Sequence, residues 1–303
     1  MIPAIDFGGT GPHLWFLHAN GIPRGCYRAL MTHLATRYHV AASVQRLLWE
    51  GSDPRSINDW TPLSSDLLQF LEEKHAAPAL VVGHSLGAIV TLRAALRHPD
   101  RFAAIVLIDP VLFPPRRILQ WNLIRLTGRV NRHALIVAAQ NRRQSFDDLD
   151  RLFSAYRQRA YFRYMDDDSL WDYIGSIACP AEAGKYRLCY SVAWETRIYA
   201  TGIGPDFDLW RGLPKLSLPA LILRGAETDT FWEDTARRVQ RANPAIQVKT
   251  IDRATHLVPL ERPDETADLI HEFLLSSATA STPPGSSFQP LLSNSQAPRP
   301  RLP

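Results

Sequence analysis

The sequence has few of the features that mark membrane proteins, nucleic-acid-binding proteins or secreted proteins. No apolar run reaches the roughly 18 residues of a membrane helix, so no membrane span is predicted. The formal net charge is only +4 in 303 residues, which does not favour nucleic acid as a partner. The N-terminus lacks a charged segment followed by an apolar stretch, so we expect no signal peptide.

Cysteine is scarce as well. The three cysteines, Cys26, Cys179 and Cys189, are odd in number and scattered. We therefore expect free thiols in a reducing compartment and a cytoplasmic protein. Metal-ligand spacings do not occur either, so the sequence predicts neither a metal site nor a cofactor.

Hydrophobic residues, by contrast, make up 46% of the chain, which is enough for a substantial core. Short apolar runs alternate with segments of helical period. Strands are predicted over 13–18, 38–44, 79–82, 102–108, 219–223 and 246–251, and helices over 25–37, 61–74, 88–96, 231–242 and 263–275. This alternation predicts an α/β fold, with a mostly parallel sheet and helices on both faces.

The alternation stops between about residues 113 and 213, where arginines, aromatic residues and helix formers dominate. This block predicts an inserted helical cap, with helices over 147–165 and 188–199, between two core segments (1–112 and 214–275). Residues 276–303 include six prolines and few apolar residues, and predict a disordered tail. The aromatic residues of the cap either pack within it or line an apolar pocket: Trp121, Tyr156, Tyr161, Phe162, Tyr164, Trp171, Tyr173 and Trp194.

One stretch indicates chemistry. Residues 83–87 read Gly-His-Ser-Leu-Gly, a G-x-S-x-G pattern between a predicted strand and a predicted helix. In that context Ser85 lies on a tight turn above the sheet, at the positive end of the helix dipole. The pattern alone arises by chance, but this setting favours a nucleophilic serine over a serine that merely caps the helix.

Candidate partners for Ser85 follow other predicted strands. A nucleophilic serine needs a base, and the base needs an orienting group. His256 follows the last strand and is the candidate base, while Asp229 follows the strand before it and is the candidate acid. Backbone N–H groups of Leu86 and of Ala19 or Asn20 are candidate oxyanion-hole donors, because all these positions fall at the carboxyl edge of the sheet.

These motifs resemble the α/β-hydrolase superfamily, most closely its capped serine hydrolases of esterase and lipase type. The resemblance rests on residues 18–21, 83–87, 225–229 and 254–263, and covers roughly 12–110 and 214–275. It implies the same roles for Ser85, His256 and Asp229. Because some members take the acid from the preceding strand, Asp109 is the alternative acid, and Glu227 is an outside candidate. The resemblance further implies a packing role for His84 and a supporting role for His18.

We therefore predict a serine hydrolase that cleaves a carboxylic ester, thioester or lactone, with an apolar acyl compound as its small-molecule partner. Two readings on the same fold stay open: a C–C bond hydrolase, and a cofactor-free haloperoxidase or perhydrolase. A non-catalytic small-ligand receptor that retains the triad is the alternative from another class, since fold does not fix function. The sequence does not identify the substrate or the oligomeric state.

Overall fold

A computed structural model describes residues 1–280 and is built around a seven-stranded sheet. Along the sheet the order is β1-β3-β2-β4-β5-β9-β10. The strands are β1 (Ala4–Gly8), β2 (His13–Leu17), β3 (His39–Ser43), β4 (Ala79–His84), β5 (Phe102–Ile108), β9 (Ala220–Gly225) and β10 (Gln247–Ile251). All neighbours pair in parallel except β1 with β3. The α/β fold class is confirmed, although the edge strand β1 was not predicted.

Helices cover both faces of this sheet. Those outside the segment between β5 and β9 are α1 (Arg28–Leu34), α2 (Thr61–Glu73), α3 (Leu86–Arg97), α10 (Glu233–Ala242), α11 (Val258–Glu261) and α12 (Pro263–Ala280). Two hydrophobic clusters result, because side chains alternate across a strand. Phe16 of β2 packs in the cluster that includes α1 and α12, whereas Trp15 packs in the cluster that includes α2 and α3.

The segment between β5 and β9, here called the insert (residues 113–213), contains helices and a second small sheet. Its helices are α4 (Pro115–Leu126), α5 (Ala134–Gln140), α6 (Leu149–Arg157), α7 (Asp167–Ile177), α8 (Val192–Thr201) and α9 (Phe207–Gly212). The small antiparallel sheet joins β6 (Ser145–Phe146), β8 (Tyr186–Leu188) and β7 (Ala178–Pro180). The predicted helix over 147–165 is therefore too long, and that over 188–199 begins too early.

The small sheet also overturns the expectation of three free thiols. Because β7 and β8 run antiparallel, they bring Cys179 and Cys189 to a Cα–Cα distance of 5.2 Å, where they form a disulfide. Cys26 is a free, buried cysteine. Two- and three-residue strands carry too little periodicity to be predicted, so the pairing was not foreseeable from spacing.

The predicted tail falls mostly on residues 281–303, outside the described residues. Its first five residues, 276–280, are helical because α12 continues through them. Within residues 1–280, no helix combines the length and apolar character needed to cross a membrane.

Candidate active site

Ser85 lies on a strained turn between β4 and α3, as the motif predicts. Its φ is 55° and its ψ is −111°, a conformation that residues other than glycine rarely adopt. The two glycines are sterically required. A Cβ on Gly83 would lie 2.4 Å from the carbonyl oxygen of Gly87, and a Cβ on Gly87 would lie 2.3 Å from that of Leu17. The turn therefore needs glycine on both sides of the serine.

His256 joins Ser85 to a carboxylate. Its Nε2 lies 2.9 Å from the Oγ of Ser85, and its Nδ1 lies 2.6 Å from Oδ2 of Asp109. Asp109 is fully buried, and the His256 side chain is 13% exposed. Because a carboxylate accepts hydrogen bonds, Nδ1 carries the proton and Nε2 is free to accept one from the serine hydroxyl. Ser85, His256 and Asp109 thus form a continuous hydrogen-bonded chain.

The structure does not bring Asp229 to His256, so that prediction is wrong about the contact. Asp229 is exposed, and its Oδ1 accepts a hydrogen bond from the hydroxyl of Thr230, 3.1 Å away. The loop after β9 presents Thr228 to the site instead, and the Thr228 hydroxyl donates to Oδ2 of Asp109 over 2.6 Å. The sheet order explains the exchange, because β5 lies between β4 and β9 and its end is one strand nearer to Ser85.

The candidate oxyanion donors also separate into two groups. The N–H of Ala19 donates to the hydroxyl of Tyr27 over 3.0 Å, so it is not free to meet a substrate, which corrects that assignment. Asn20 and Leu86 line the cavity beside Ser85. Leu86 is the first residue of α3, where helical N–H groups have no partner within the helix. Asn20 and Leu86 are therefore the two donors that fit the predicted hole.

His18 fixes the direction of the Asn20 N–H. Its Nδ1 donates to the carbonyl oxygen of Ala19 over 2.8 Å, while Gln45 holds the carbonyl of His18 over 2.5 Å. The carbonyl of Ala19 and the N–H of Asn20 belong to one planar peptide and point in opposite directions. Burial lowers the pKa of His18 to about 4, so its imidazole is neutral at pH 7.

Tyr27 and Gln45 were missed in the sequence as residues of the site. Tyr27 lies in the predicted helix over 25–37, and Gln45 comes directly after the predicted strand over 38–44. Neither pattern carries a signal for the loop it contacts, because each contact depends on the packing of distant segments.

Ser85 and His256 open into a cavity of about 560 Å³. Its apolar wall comes largely from the insert, through Phe113, Trp121, Ile124, Leu135, Ile198 and Ile203. Of the insert aromatics considered in the sequence, Trp121, Tyr161 and Tyr173 line this cavity. The others contact neighbouring residues. Tyr156 and Phe162 pack on Tyr173, and Trp171 stacks on Phe153. Trp194 donates a hydrogen bond to Ser52, and Tyr164 donates one to Glu227.

The ionic groups of the cavity wall include one ion pair. The guanidinium of Arg142 meets the carboxylate of Glu195 through two hydrogen bonds of 2.6 and 2.9 Å, and the Glu195 side chain is 1% exposed. Arg117 lies over the ring of Trp232, 5.4 Å from its centroid. Glu227, the outside candidate for the acid, instead binds Arg163 and Tyr164 of the insert at 2.5 and 2.6 Å.

We find no set of three His, Cys, Asp or Glu side chains within residues 1–280 that is gathered as a metal ion would require.

Comparison with known proteins assigns the family. The profile described as "Alpha/beta hydrolase family" matches residues 16–269. The 2-(acetamidomethylene)succinate hydrolase of Mesorhizobium japonicum is 27% identical over 88% of this chain and 89% of its own length. Epoxide hydrolase A of Mycobacterium tuberculosis is 26% identical over 89% of this chain and 92% of its own length.

A solved structure points to the same fold. The crystal structure of E-2-(acetamidomethylene)succinate hydrolase superposes with a TM-score of 0.75 and 22% sequence identity, covering 89% of this chain and 94% of that one. The chain belongs to the alpha/beta hydrolase family. It is an enzyme with hydrolase activity, as the named relatives and the family together support.

Proposed function

We propose that this protein is a serine hydrolase that cleaves an uncharged, largely apolar carboxylic ester, thioester or lactone through an acyl-enzyme. The observation that carries the proposal is the hydrogen-bonded chain from Ser85 through His256 to Asp109, which opens into an apolar cavity. Nucleophile, base and orienting carboxylate stand in the order and at the distances that serine acyl transfer needs.

Acylation begins with the transfer of the Ser85 hydroxyl proton to Nε2 of His256 as the oxygen attacks the substrate carbonyl. Asp109 holds the imidazole in the required tautomer and stabilises the imidazolium that forms. The negative charge on the former carbonyl oxygen meets the N–H groups of Asn20 and Leu86. The imidazolium then protonates the departing alcohol or thiol, and the acyl group stays on Ser85.

Deacylation repeats these steps with water as the nucleophile. His256 takes a proton from water, the hydroxide attacks the acyl-enzyme, and the proton passes to the Ser85 oxygen as the acid leaves. The original Ser85 proton leaves with the alcohol or thiol and is replaced by one from water, so the enzyme is regenerated and one turnover consumes one water and one acyl bond.

The charges on the cavity wall favour an uncharged substrate. The 2-(acetamidomethylene)succinate hydrolase is named for a succinate derivative, which carries two carboxylates. In this chain Arg142 is already bound at two positions by Glu195, and Asp229 adds a carboxylate to the lining. A dianionic substrate would find the Arg142 guanidinium occupied and only Arg117 without a carboxylate partner among the described contacts, whereas an apolar acyl chain matches the six insert side chains that line the wall.

The name of the other relative suggests epoxide opening, which the nucleophile does not favour. Covalent epoxide opening in this fold uses a carboxylate nucleophile, whereas the turn between β4 and α3 carries Ser85. The receptor alternative predicts binding without turnover and is separated from the proposal by the assay below.

We expect Ser85→Ala to abolish turnover of p-nitrophenyl esters and labelling by a fluorophosphonate probe, because both require the serine oxygen. The loss in kcat should be on the order of 10⁴-fold or more, with the weak remainder due to binding and the oxyanion hole. Initial rates on esters of graded chain length measure the first effect, and covalent mass increase measures the second.

Ser64→Ala is a matched control, because Ser64 is a buried serine of α2 whose hydroxyl bonds the carbonyl of Trp60 at 3.5 Å. This variant should keep its activity. Wild-type protein that binds esters without turnover would support the receptor alternative, and a Ser85→Ala variant with more than about a tenth of the wild-type rate would exclude the nucleophile assignment.

A further inference from the structure

Two buried side chains beside the site form a hydrogen-bonded path that catalysis by the three residues above does not use. The hydroxyl of Tyr27 lies 3.0 Å from the N of Ala19 and 2.8 Å from Nδ1 of His84. Nε2 of His84 lies 2.9 Å from the carbonyl oxygen of His256. Tyr27 and His84 are both fully buried, so these contacts are shielded from water.

The direction of every hydrogen bond in this path can be assigned. Burial lowers the pKa of His84 well below its ordinary value, so the ring is neutral and carries one N–H. A carbonyl only accepts, so Nε2 of His84 donates to His256 and Nδ1 is left as an acceptor. Burial also raises the pKa of Tyr27, whose hydroxyl stays protonated, donates to Nδ1 and accepts the N–H of Ala19.

The path connects the three loops that carry the reacting groups. Ala19 immediately precedes Asn20, which lines the cavity. His84 immediately precedes Ser85 on the strained turn. The carbonyl of His256 belongs to the base itself, whose ring also contacts that of His84 with centroids 5.1 Å apart. A displacement of any one loop would leave a buried polar group without its partner, which costs free energy.

We propose that Tyr27 and His84 are positioning residues. They hold three segments in fixed relative positions: the loop with Ala19 and Asn20, the turn with Ser85 and the loop with His256. This role rests on the proposed serine hydrolase function and deepens it. Tyr27 and His84 touch no substrate, so their loss should lower kcat while leaving KM nearly unchanged, because reaction rates are sensitive to sub-ångström misplacement and apolar binding is not.

The experiment compares Tyr27→Phe with the wild type and with Tyr38→Phe. Tyr38 provides a matched pair outside the site, because its hydroxyl lies 3.0 Å from Nδ1 of His271 on α12. We expect Tyr27→Phe to lower kcat about tenfold, with KM changed less than about twofold, and to slow fluorophosphonate labelling by the same factor as kcat. Tyr38→Phe should leave both rates at the wild-type value.

Two substitutions at His84 test the path separately from packing. His84→Gln retains an amide N–H that can reach the carbonyl of His256, whereas His84→Leu retains none. We expect the glutamine variant to label severalfold faster than the leucine variant. Equal rates for the two, or a Tyr27→Phe variant with wild-type kcat and labelling, would overturn the positioning role.

Ser85→Ala in the same assays separates the two levels of inference. If Ser85→Ala is inactive and Tyr27→Phe behaves as wild type, the positioning role fails and the hydrolase proposal stands. If Ser85→Ala keeps turnover and labelling, the proposed function fails and the positioning role fails with it.

Discussion

The ends of strands β5 and β9 look alike in the sequence and differ sharply in the structure. Each strand is parallel to its neighbours and runs into a short loop with an aspartate near its start, Asp109 in one and Asp229 in the other. Asp109 is fully buried and accepts hydrogen bonds from Thr228 and His256. Asp229 is exposed and bonds only the neighbouring Thr230 among the described contacts.

The comparison shows that strand order and loop path decide which carboxylate orients a base. Both loops reach the same edge of the sheet, where ligands gather in parallel sheets. The start of the loop after β9 lies closely against the loop that carries His256, since a Cβ on Gly225 would come within 2.3 Å of the carbonyl oxygen of Thr255. In the same loop Thr228 contacts Asp109, and Asp229 lines the cavity.

The largest expected effect is the difference between Asp109→Asn and Asp229→Asn. An asparagine at 109 can donate to Nδ1 and so favour the unproductive tautomer of His256, which should lower kcat on the order of 10⁴-fold. Asp229→Asn should retain most of the wild-type kcat, because Asp229 does not contact the base. Both variants are assayed on one neutral ester, and an inactive Asp229→Asn beside an active Asp109→Asn would reverse the assignment.

A third strand end, that of β2, extends the comparison from activity to stability. His18 is 1% exposed, and burial lowers its pKa from 6.5 to about 4. Between these values the unfolded chain binds a proton that the folded protein does not, so the free energy of unfolding falls as the pH falls. The loss due to His18 should be about 2 kcal/mol between pH 7 and pH 5.

Urea unfolding at pH 7 and at pH 5 measures this loss in the free energy of unfolding. His18→Asn keeps a side-chain N–H for the carbonyl of Ala19 but no longer titrates, so its pH dependence should be weaker than that of the wild type by that amount. The exposed His98 provides the control, and His98→Asn should leave the pH dependence unchanged. Identical pH dependence in the wild type and His18→Asn would show that folding does not shift the pKa of His18.

A smaller effect is expected at the two threonines beside the aspartates. Thr228→Val removes the hydroxyl that donates to Asp109 over 2.6 Å, and Thr230→Val removes the one that donates to Asp229. Since a hydrogen bond to a carboxylate contributes about 1.5–3 kcal/mol, Thr228→Val should lower kcat about tenfold. Thr230→Val should have little effect, and comparable losses in the two variants would remove the distinction between the two strand ends.

The smallest effect concerns the charge of Asp229 as part of the cavity lining. Asp229→Asn should lower KM for an anionic ester by about two- to threefold and leave KM for a neutral ester unchanged, because an exposed charge is weak. High salt should remove the difference, since ions screen exposed charges. A change in KM for the neutral ester that persists in high salt would indicate that Asp229 acts by shape or hydrogen bonding.

The sequence by itself determined the fold class, and it predicted the strand–turn–helix setting of Ser85 and the place of His256 after the last strand. These features depend on short-range rules: apolar runs alternating with helical periods, glycines on both sides of Ser85, and a histidine after the last strand. The break in that alternation falls in the segment between β5 and β9, and α3 follows its predicted segment closely, whereas α12 extends five residues beyond its predicted end.

Only the tertiary structure shows the contact of Asp109 with His256, the bonded N–H of Ala19, the Cys179–Cys189 disulfide and the contact of Tyr27 with His84. Each of these depends on a distance between segments far apart in the chain. Asp109 and Asp229 both follow a strand, and Ala19 and Asn20 share one turn. Only the paths of the loops determine which carboxylate is buried against the imidazole and which N–H is already bonded, because those paths are set by packing and not by local sequence.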